Sequence, residues 1–241
     1  MKKVFLYTFL LLIAVSCSSD DSTENPIITY KIMAMGDSRV DGSSSLQGHR
    51  SYRYDFWKNL VDNGWSFNLI GPETDLISYP SHQNLVFDPD HAGFGGWRSS
   101  TLLDNFTSII DPLNIPDIVL LGIGGNDLTG GVTPDQVAEN INLIIDFLQA
   151  LNSEIIIVVE QIAPAKSDAM SSRDWEILGE LNSNISVLAN AQATGLSTVV
   201  AVDMASGWSD SYLLDRVHYT AEGAKVVADR YYSALASVLN Q

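Results

Sequence analysis

Four short runs of β-branched and aliphatic residues punctuate the chain: "ITYKIMAMG" from Ile28, "DIVLLGIGG" from Asp117, "EIIIVVEQ" from Glu154 and "STVVAVD" from Ser197. Each is bounded by turn-forming residues and is too short for a buried helix, so each predicts a strand. The segments between them change period. From Pro134 to Leu151 the apolar residues Val137, Ile141, Ile144, Leu148 and Leu151 recur at steps of four, three, four and three, one stripe of an amphipathic helix. Its start is marked by Thr133 as N-cap, Pro134 as first helical residue and Gln136 as capping-box partner. A last helix, Ala221 to Leu239, carries Val227, Tyr231, Leu235 and Val238 on one face. Trp57 and Trp65, in or just after a helix that follows the first strand, read as core. Strands alternating with helices predict an α/β fold with a parallel sheet covered on both faces by right-handed crossovers. In such sheets ligands bind outside the carboxyl ends of the strands.

The N-terminus follows another rule. Lys2 and Lys3 precede an apolar run, Val4 to Val15, that is shorter than the ~20 residues a spanning helix needs. Cys17, the single cysteine, follows at once and precludes an intrachain disulfide. The position resembles a bacterial lipobox, with Ala14, Val15 and Ser16 in place of the usual Leu-Ala-Gly pattern. The expected organisation is a signal peptide over 1–17 with Cys17 as the lipidation site, a flexible tether over 18–26, and one folded domain over 27–241. Export and an outer-membrane lipoprotein of a Gram-negative bacterium are implied, with a plain secretory signal as the alternative. With 46% hydrophobic and 17% charged residues, the remainder can bury a sizeable core. A formal net charge of −16 disfavours nucleic acid and anionic membrane surfaces as partners, leaving a lipid anchor as the membrane contact.

The predicted strand ends carry the candidate chemistry. The first strand delivers Gly36-Asp37-Ser38, the second delivers Gly124-Gly125-Asn126-Asp127, and "LLDRVHYTAEG" after the last strand sets Asp215 three residues before His218. A hydroxyl, a carboxamide and an acid–imidazole pair on one rim meet the needs of acyl transfer: a serine needs a base, the base needs an orienting acid, and the anionic intermediate needs fixed donors. Asp-x-x-His is a common spacing, and Asp88 with His91 also fits it; His91, in a long loop, reads better as a buttress. Asp37 is expected to bond amides of its own turn. The serine elbow Gly-x-Ser-x-Gly is absent, which disfavours the α/β-hydrolase fold. His49, His82 and His91 lack ligand-like spacing, so no metal is expected, and "GIGGND" lacks the glycine spacing of a nucleotide loop; no cofactor is expected.

From Ile27 to Gln241 the chain resembles an SGNH (GDSL-type) hydrolase, on "GDSR" at Gly36 to Arg39, "HAGFGGWRSS" at His91 to Ser100, "GGND" at Gly124 to Asp127 and "DRVH" at Asp215 to His218. The resemblance implies a flavodoxin-like three-layer α/β/α sandwich. It implies Ser38 as nucleophile, His218 as general base and Asp215 as its orienting acid, with an oxyanion hole from the Ser38 and Gly96 amides and the Asn126 side chain. Gly95 is the alternative to Gly96, because "GFGG" permits a one-residue slip. Arg39 stands where a Leu, Ile or Thr is more usual. "SYRYDFWKNLVDNGWSFNLIGP" followed by "DPDHAGFGGWRS" is similar to carbohydrate esterases that deacetylate xylan, implying an acetylated polysaccharide or oligosaccharide as substrate. Trp97, Trp208 and Arg39 are candidate substrate contacts; each tryptophan could equally pin its loop, and Arg39 and Arg98 could pair with acids. Rival readings are an arylesterase or lysophospholipase, and a surface glycan-binding lipoprotein without turnover.

Overall fold

The computed structural model describes residues 29–42, 51–193 and 195–239; the leader, Cys17, the tether and His49 lie outside the described residues. Seven strands form one sheet: β1 (Tyr30–Gly36), β2 (Phe67–Leu69), β3 (Glu73–Thr74), β4 (Asp90–Gly93), β5 (Ile118–Gly122), β6 (Ile156–Gln161) and β7 (Thr198–Asp203). The four apolar runs supply β1, β5, β6 and β7, a contiguous parallel block in that order. The other edge of β1 is shared: β2 pairs along Tyr30 to Ile32 and β4 along Met35 and Gly36, both parallel. β3 adds one antiparallel pairing, to β4. These three strands span two to four residues, too few to show an alternation in the sequence.

The helices are α1 (Ser38–Asp41), α2 (Arg53–Asp62), α3 (Ser99–Asp104), α4 (Phe106–Ile109), α5 (Gly125–Thr129), α6 (Pro134–Leu151), α7 (Ser172–Gln192) and α8 (Ala221–Leu239). Side chains alternate across the sheet and so build two cores. Met33, Met35, Val119, Leu121, Ile157 and Val159 pack against α3, α6 and α7. Ile32, Ala34, Ile118, Leu120 and Val158 pack against α2 and α8. The result is the expected flavodoxin-like three-layer α/β/α sandwich.

Helix α6 keeps its predicted bounds, and Val137, Ile141, Ile144 and Leu148 are fully buried; each such side chain stabilises the fold by roughly 1.5–3 kcal/mol. Leu151, at the fraying end, is 40% exposed, and Ile145 widens the buried face instead. The Thr133 hydroxyl accepts from the Gln136 amide at 3.3 Å, but the Gln136 side chain donates to Asn140 rather than turning back, so the box is half-formed. A reciprocal box caps α7, between Ser171 and Asp174. On α8, Val227, Tyr231 and Leu235 are buried and Val238 is half-buried. Trp57 is buried in the core, whereas Trp65 is half-buried against Tyr30 and Tyr232.

One row across the sheet determines the active rim. Gly93, Gly36 and Gly122 are in register on β4, β1 and β5. A Cβ on Gly36 would lie 1.9 Å from the Gly122 carbonyl oxygen and 2.8 Å from a Val40 methyl, and one on Gly93 would lie 2.4 Å from the Asp41 amide nitrogen. The single turn of α1 can therefore lie directly on the sheet, and the Asp37 amide reaches the Gly122 carbonyl at 3.3 Å. At the β5 end of the row, a Cβ on Gly122 would lie 2.7 Å from Glu160 Oε2. Glu160 is 4% exposed and accepts from the Tyr231 hydroxyl at 3.1 Å. Burial pushes its carboxyl up to about 7, against the opposing pull of the Arg39 cation.

Two expected outcomes follow from that row. Gly36→Ala overpacks backbone against backbone, and at about 1–3 kcal/mol for overpacking its thermal midpoint, read by circular dichroism, should fall by roughly 3–10 °C for a domain of this size. For Glu160, folding raises the pKa above the ordinary 4.5, so its contribution to stability is fully present below pH 4.5 and is lost as pH rises through about 7. Glu160→Gln lacks that decline. Urea unfolding should show the variant gaining roughly 3 kcal/mol on the wild type between pH 4.5 and 7.5; a difference independent of pH would contradict the assignment.

Candidate active site

Three strand ends converge on the rim. β1 leads into Asp37, whose carboxylate caps α1 by accepting the Arg39 amide at 3.0 Å, as expected for a residue bonding its own turn. Burial raises the Asp37 pKa, with the Arg39 amide and charge acting against it. Ser38 opens the turn and points its hydroxyl outward: Oγ lies 2.9 Å from His218 Nε2. His218 Nδ1 lies 2.7 Å from Asp215 Oδ2, while Asp215 Oδ1 accepts the amides of Val217 and His218 at 2.9 and 2.8 Å. Burial alone would raise the Asp215 pKa; the hydrogen bonds from the His218 ring and the two amides outweigh it and hold the carboxyl at about 2. Asp215 thus stays ionised across the neutral range, and with Nδ1–H directed to it, Nε2 is the ring nitrogen that can accept a proton from Ser38.

The Gly-rich loop after β4 faces this array. Phe94 donates its amide to the Gly36 carbonyl at 2.9 Å, which fastens the loop to the end of β1. Gly95 and Gly96 are exposed, and neither donates its amide to a partner among the described residues. Asn126 approaches from α5, where its Nδ2 donates to the Trp97 carbonyl at 2.9 Å. An amide nitrogen has two hydrogens, so this bond ties the two loops together and leaves the second N–H for another acceptor. Asp127 turns inward, fully buried, and accepts both the amide and the hydroxyl of Ser99, at 2.9 and 2.6 Å, while Asn140 donates to the same hydroxyl. The motif "GGND" thus holds the start of α3 as well as presenting a carboxamide, a role for Asp127 that sequence reasoning missed.

The candidate substrate contacts fare differently. Arg39 is 9% exposed and points into the protein, with Nε donating to the Val217 carbonyl at 2.9 Å and Nη1 to the Ala163 carbonyl at 2.8 Å. Its proposed contact with substrate is corrected accordingly, because the guanidinium is occupied by backbone. Trp97 stacks on Phe94 with centroids 4.0 Å apart, and Trp208 packs edge-on against Tyr212 and Tyr219; both are half-buried loop pins as well as rim residues. The guanidinium of Arg98 covers Gly130. Asp88 and His91 do not pair: Asp88 accepts the Leu69 and Asp90 amides, and His91 is buried, accepts the Gly93 amide at Nδ1 and sets Nε2 3.3 Å from Asp75. Asp75 also takes a 2.6 Å ion pair from buried Arg53, which further donates to the Val40 and Asp41 carbonyls of α1. Arg53 lies within the tract from Ser51 to Pro72 but carries no spacing that points to a role, and Asp75 falls outside every motif, so the sequence did not expose the pair. Trp175, unremarked in the sequence, is 44% exposed in the first turn of α7.

A family model for the GDSL-like lipase/acylhydrolase family matches residues 34–226. A multidomain esterase from Ruminococcus flavefaciens is 31% identical over 136 residues, half of this chain and 17% of that protein, so the chain spans only a small part of its length. Among solved structures, a carbohydrate esterase family 3 protein from Talaromyces cellulolyticus superposes with a TM-score of 0.74 at 24% identity, covering 88% of this chain and 99% of that one. An acetyl xylan esterase superposes with a TM-score of 0.62 at 21% identity, covering 85% and 98%. The similarity to these structures establishes the shared fold. With the family model spanning both the serine turn and the histidine loop, the chain belongs to the GDSL-like lipase/acylhydrolase family.

Proposed function

We propose that this chain is a serine esterase that removes O-acetyl groups from a polysaccharide through an acyl-enzyme. The observation that carries the mechanism is the continuous relay from Ser38 Oγ through His218 to Asp215, at 2.9 and 2.7 Å. In the first half-reaction His218 Nε2 takes the hydroxyl proton as Ser38 Oγ attacks the acetyl carbonyl carbon. In this reading the amides of Ser38 and Gly96 and the second N–H of Asn126 hold the oxyanion that forms, since donors fixed before charge develops need no reorganisation. Collapse breaks the bond to the sugar oxygen, which leaves with the proton from His218. Water, deprotonated by His218, then cleaves the acetyl–Ser38 ester and regenerates the serine. Asp215 keeps the imidazole in the tautomer both steps need.

The acetylated carbohydrate substrate is supported by the names of the structural relatives, a carbohydrate esterase and an acetyl xylan esterase, and by the tract from Ser51 to Pro72. The strongly acidic chain weighs against a phospholipid surface. Export and acylation of Cys17 remain part of the same proposal and rest on the leader sequence.

Acetate release from acetylated xylan, measured with turnover of 4-nitrophenyl acetate, tests this reading. The wild type should act on both and Ser38→Ala on neither. Activity on the small ester alone would overturn the xylan assignment and retain the mechanism. Activity that survives in Ser38→Ala would overturn the mechanism. Asn126→Ala should lower kcat by about 10²–10³, or ~3 kcal/mol of transition-state stabilisation, with KM changed far less; a wild-type kcat in a variant of unchanged thermal midpoint would remove Asn126 from the hole.

A further inference from the structure

Arg39 stands in the chain directly beside Ser38 and joins the two other segments that build the rim. Its Nε donates to the carbonyl of Val217, the residue before His218, and its guanidinium carbon lies 5.1 Å from the ring centroid of Tyr219, the residue after it. Both neighbours of the histidine are therefore held by one side chain. The other end of the fork reaches the loop leaving β6, with Nη1 bonded to the Ala163 carbonyl and Nη2 3.5 Å from that of Pro164. The segment Leu214 to Thr220 contains no helix or strand; its backbone is also tied by the Leu214 amide to the His218 carbonyl at 2.8 Å, by the Lys166 amide to the Arg216 carbonyl and the Thr220 amide to the Tyr212 carbonyl, both at 2.9 Å, and by a bridge between Leu213 and Tyr219, but among these ties only Arg39 runs from the serine turn.

The connectivity closes a ring. From Ser38 the chain passes to Arg39, across a hydrogen bond to Val217, along one peptide to His218, and from Nε2 back to Ser38 Oγ at 2.9 Å. A shift of the loop by an ångström would break the last contact, and misplacement of that size can cost about 10² in rate. We infer that Arg39 is a positioning residue that sets the distance between His218 and Ser38 by clamping the histidine loop to the serine turn. The inference rests on the ester-hydrolase reading of Ser38 and His218 given above. Charge alone does not explain Arg39, since its direct bonds go to neutral carbonyls spread over two loops. A planar fork with five N–H groups can span them and an ammonium cannot.

The test compares the wild type, Arg39→Leu and Arg39→Lys, each checked for its thermal midpoint. Two rates are measured per folded active site: phosphonylation of Ser38 by a small fluorophosphonate, and kcat and KM on 4-nitrophenyl acetate. Arg39→Leu should lose about 10²-fold in both labelling rate and kcat, with KM within threefold. Arg39→Lys, which keeps the charge and part of the bonding, should lose about tenfold, and it decides the matter if the leucine variant fails to fold. Folded variants that label and turn over at the wild-type rate would make Arg39 a merely structural cation and overturn the clamp while leaving the esterase reading intact. A raised KM with unchanged kcat would make it a substrate contact and also overturn the clamp. A wild type that neither labels nor turns over would overturn the esterase reading and the clamp with it.

Discussion

The row of side-chain-free positions at the carboxyl edge of the sheet is the constraint on which the rim depends. Gly93, Gly36 and Gly122 leave a trough across three adjacent strands, and α1 occupies it. A Cβ on Gly36 or Gly93 would collide with backbone and lift the serine turn off the sheet, and one on Gly122 would meet the Glu160 carboxyl. Because the turn sits that low, the Phe94 amide can bond Gly36 and the Asp37 amide can bond Gly122, so the loops after β4, β1 and β5 leave the sheet already fastened to one another. The active rim is thus a packing consequence before it is a chemical arrangement.

The same trough explains the charged groups beneath the rim. Space left by Gly122 is taken by the Glu160 carboxylate, and Arg39, Asp37 and three buried tyrosines, Tyr52, Tyr219 and Tyr231, gather around it. Burying carboxylates is costly unless a cation or donors compensate. Here Arg39 lies between two acids whose pKa values burial raises, and Tyr231 donates to one of them. On the far side of α1, buried Arg53 pairs with Asp75 and bonds the carbonyls that end the turn. The turn carrying Ser38 is held between two arginines, one toward the histidine loop and one toward β4.

Much of this was legible in the chain. Strands β1, β5, β6 and β7 are continuous apolar runs because both faces of a central parallel strand are buried, and α6 shows its stripe because one face is not. The short motifs placed Ser38, Asn126, Asp215 and His218 at strand ends, where the structure brings Ser38, His218 and Asp215 into one hydrogen-bonded line. What stayed hidden is what depends on contacts between distant segments. β2 and β4 are strands because β1 offers them an edge, since neither "FNL" nor "DHAG" has enough residues to show a period. Arg39 reads in the sequence as a substrate contact or a partner for acids; its burial follows from carbonyls 124 and 178 residues away. Gln136 read as a capping partner until Asn140, one turn on, offered a competing acceptor.

The glycines of the three rim motifs, alike on the page, answer to different physical demands. Gly36 and Gly93 are required by space, with backbone closer than any Cβ tolerates. Gly96 has nothing within 4 Å of where a Cβ would sit, yet its φ is +76°, a conformation that residues with side chains rarely adopt. Substitution at the first kind disturbs the sheet and, through it, every loop on the rim. Substitution at Gly96 would leave the core untouched and turn only its own amide, which is one of the two glycine amides in that loop without a partner among the described residues. The left-handed backbone at Gly96 is what the third position of the turn from Phe94 to Trp97 demands, a turn closed by the Trp97 amide on the Phe94 carbonyl at 3.2 Å, so there the glycine answers to turn geometry and not to space.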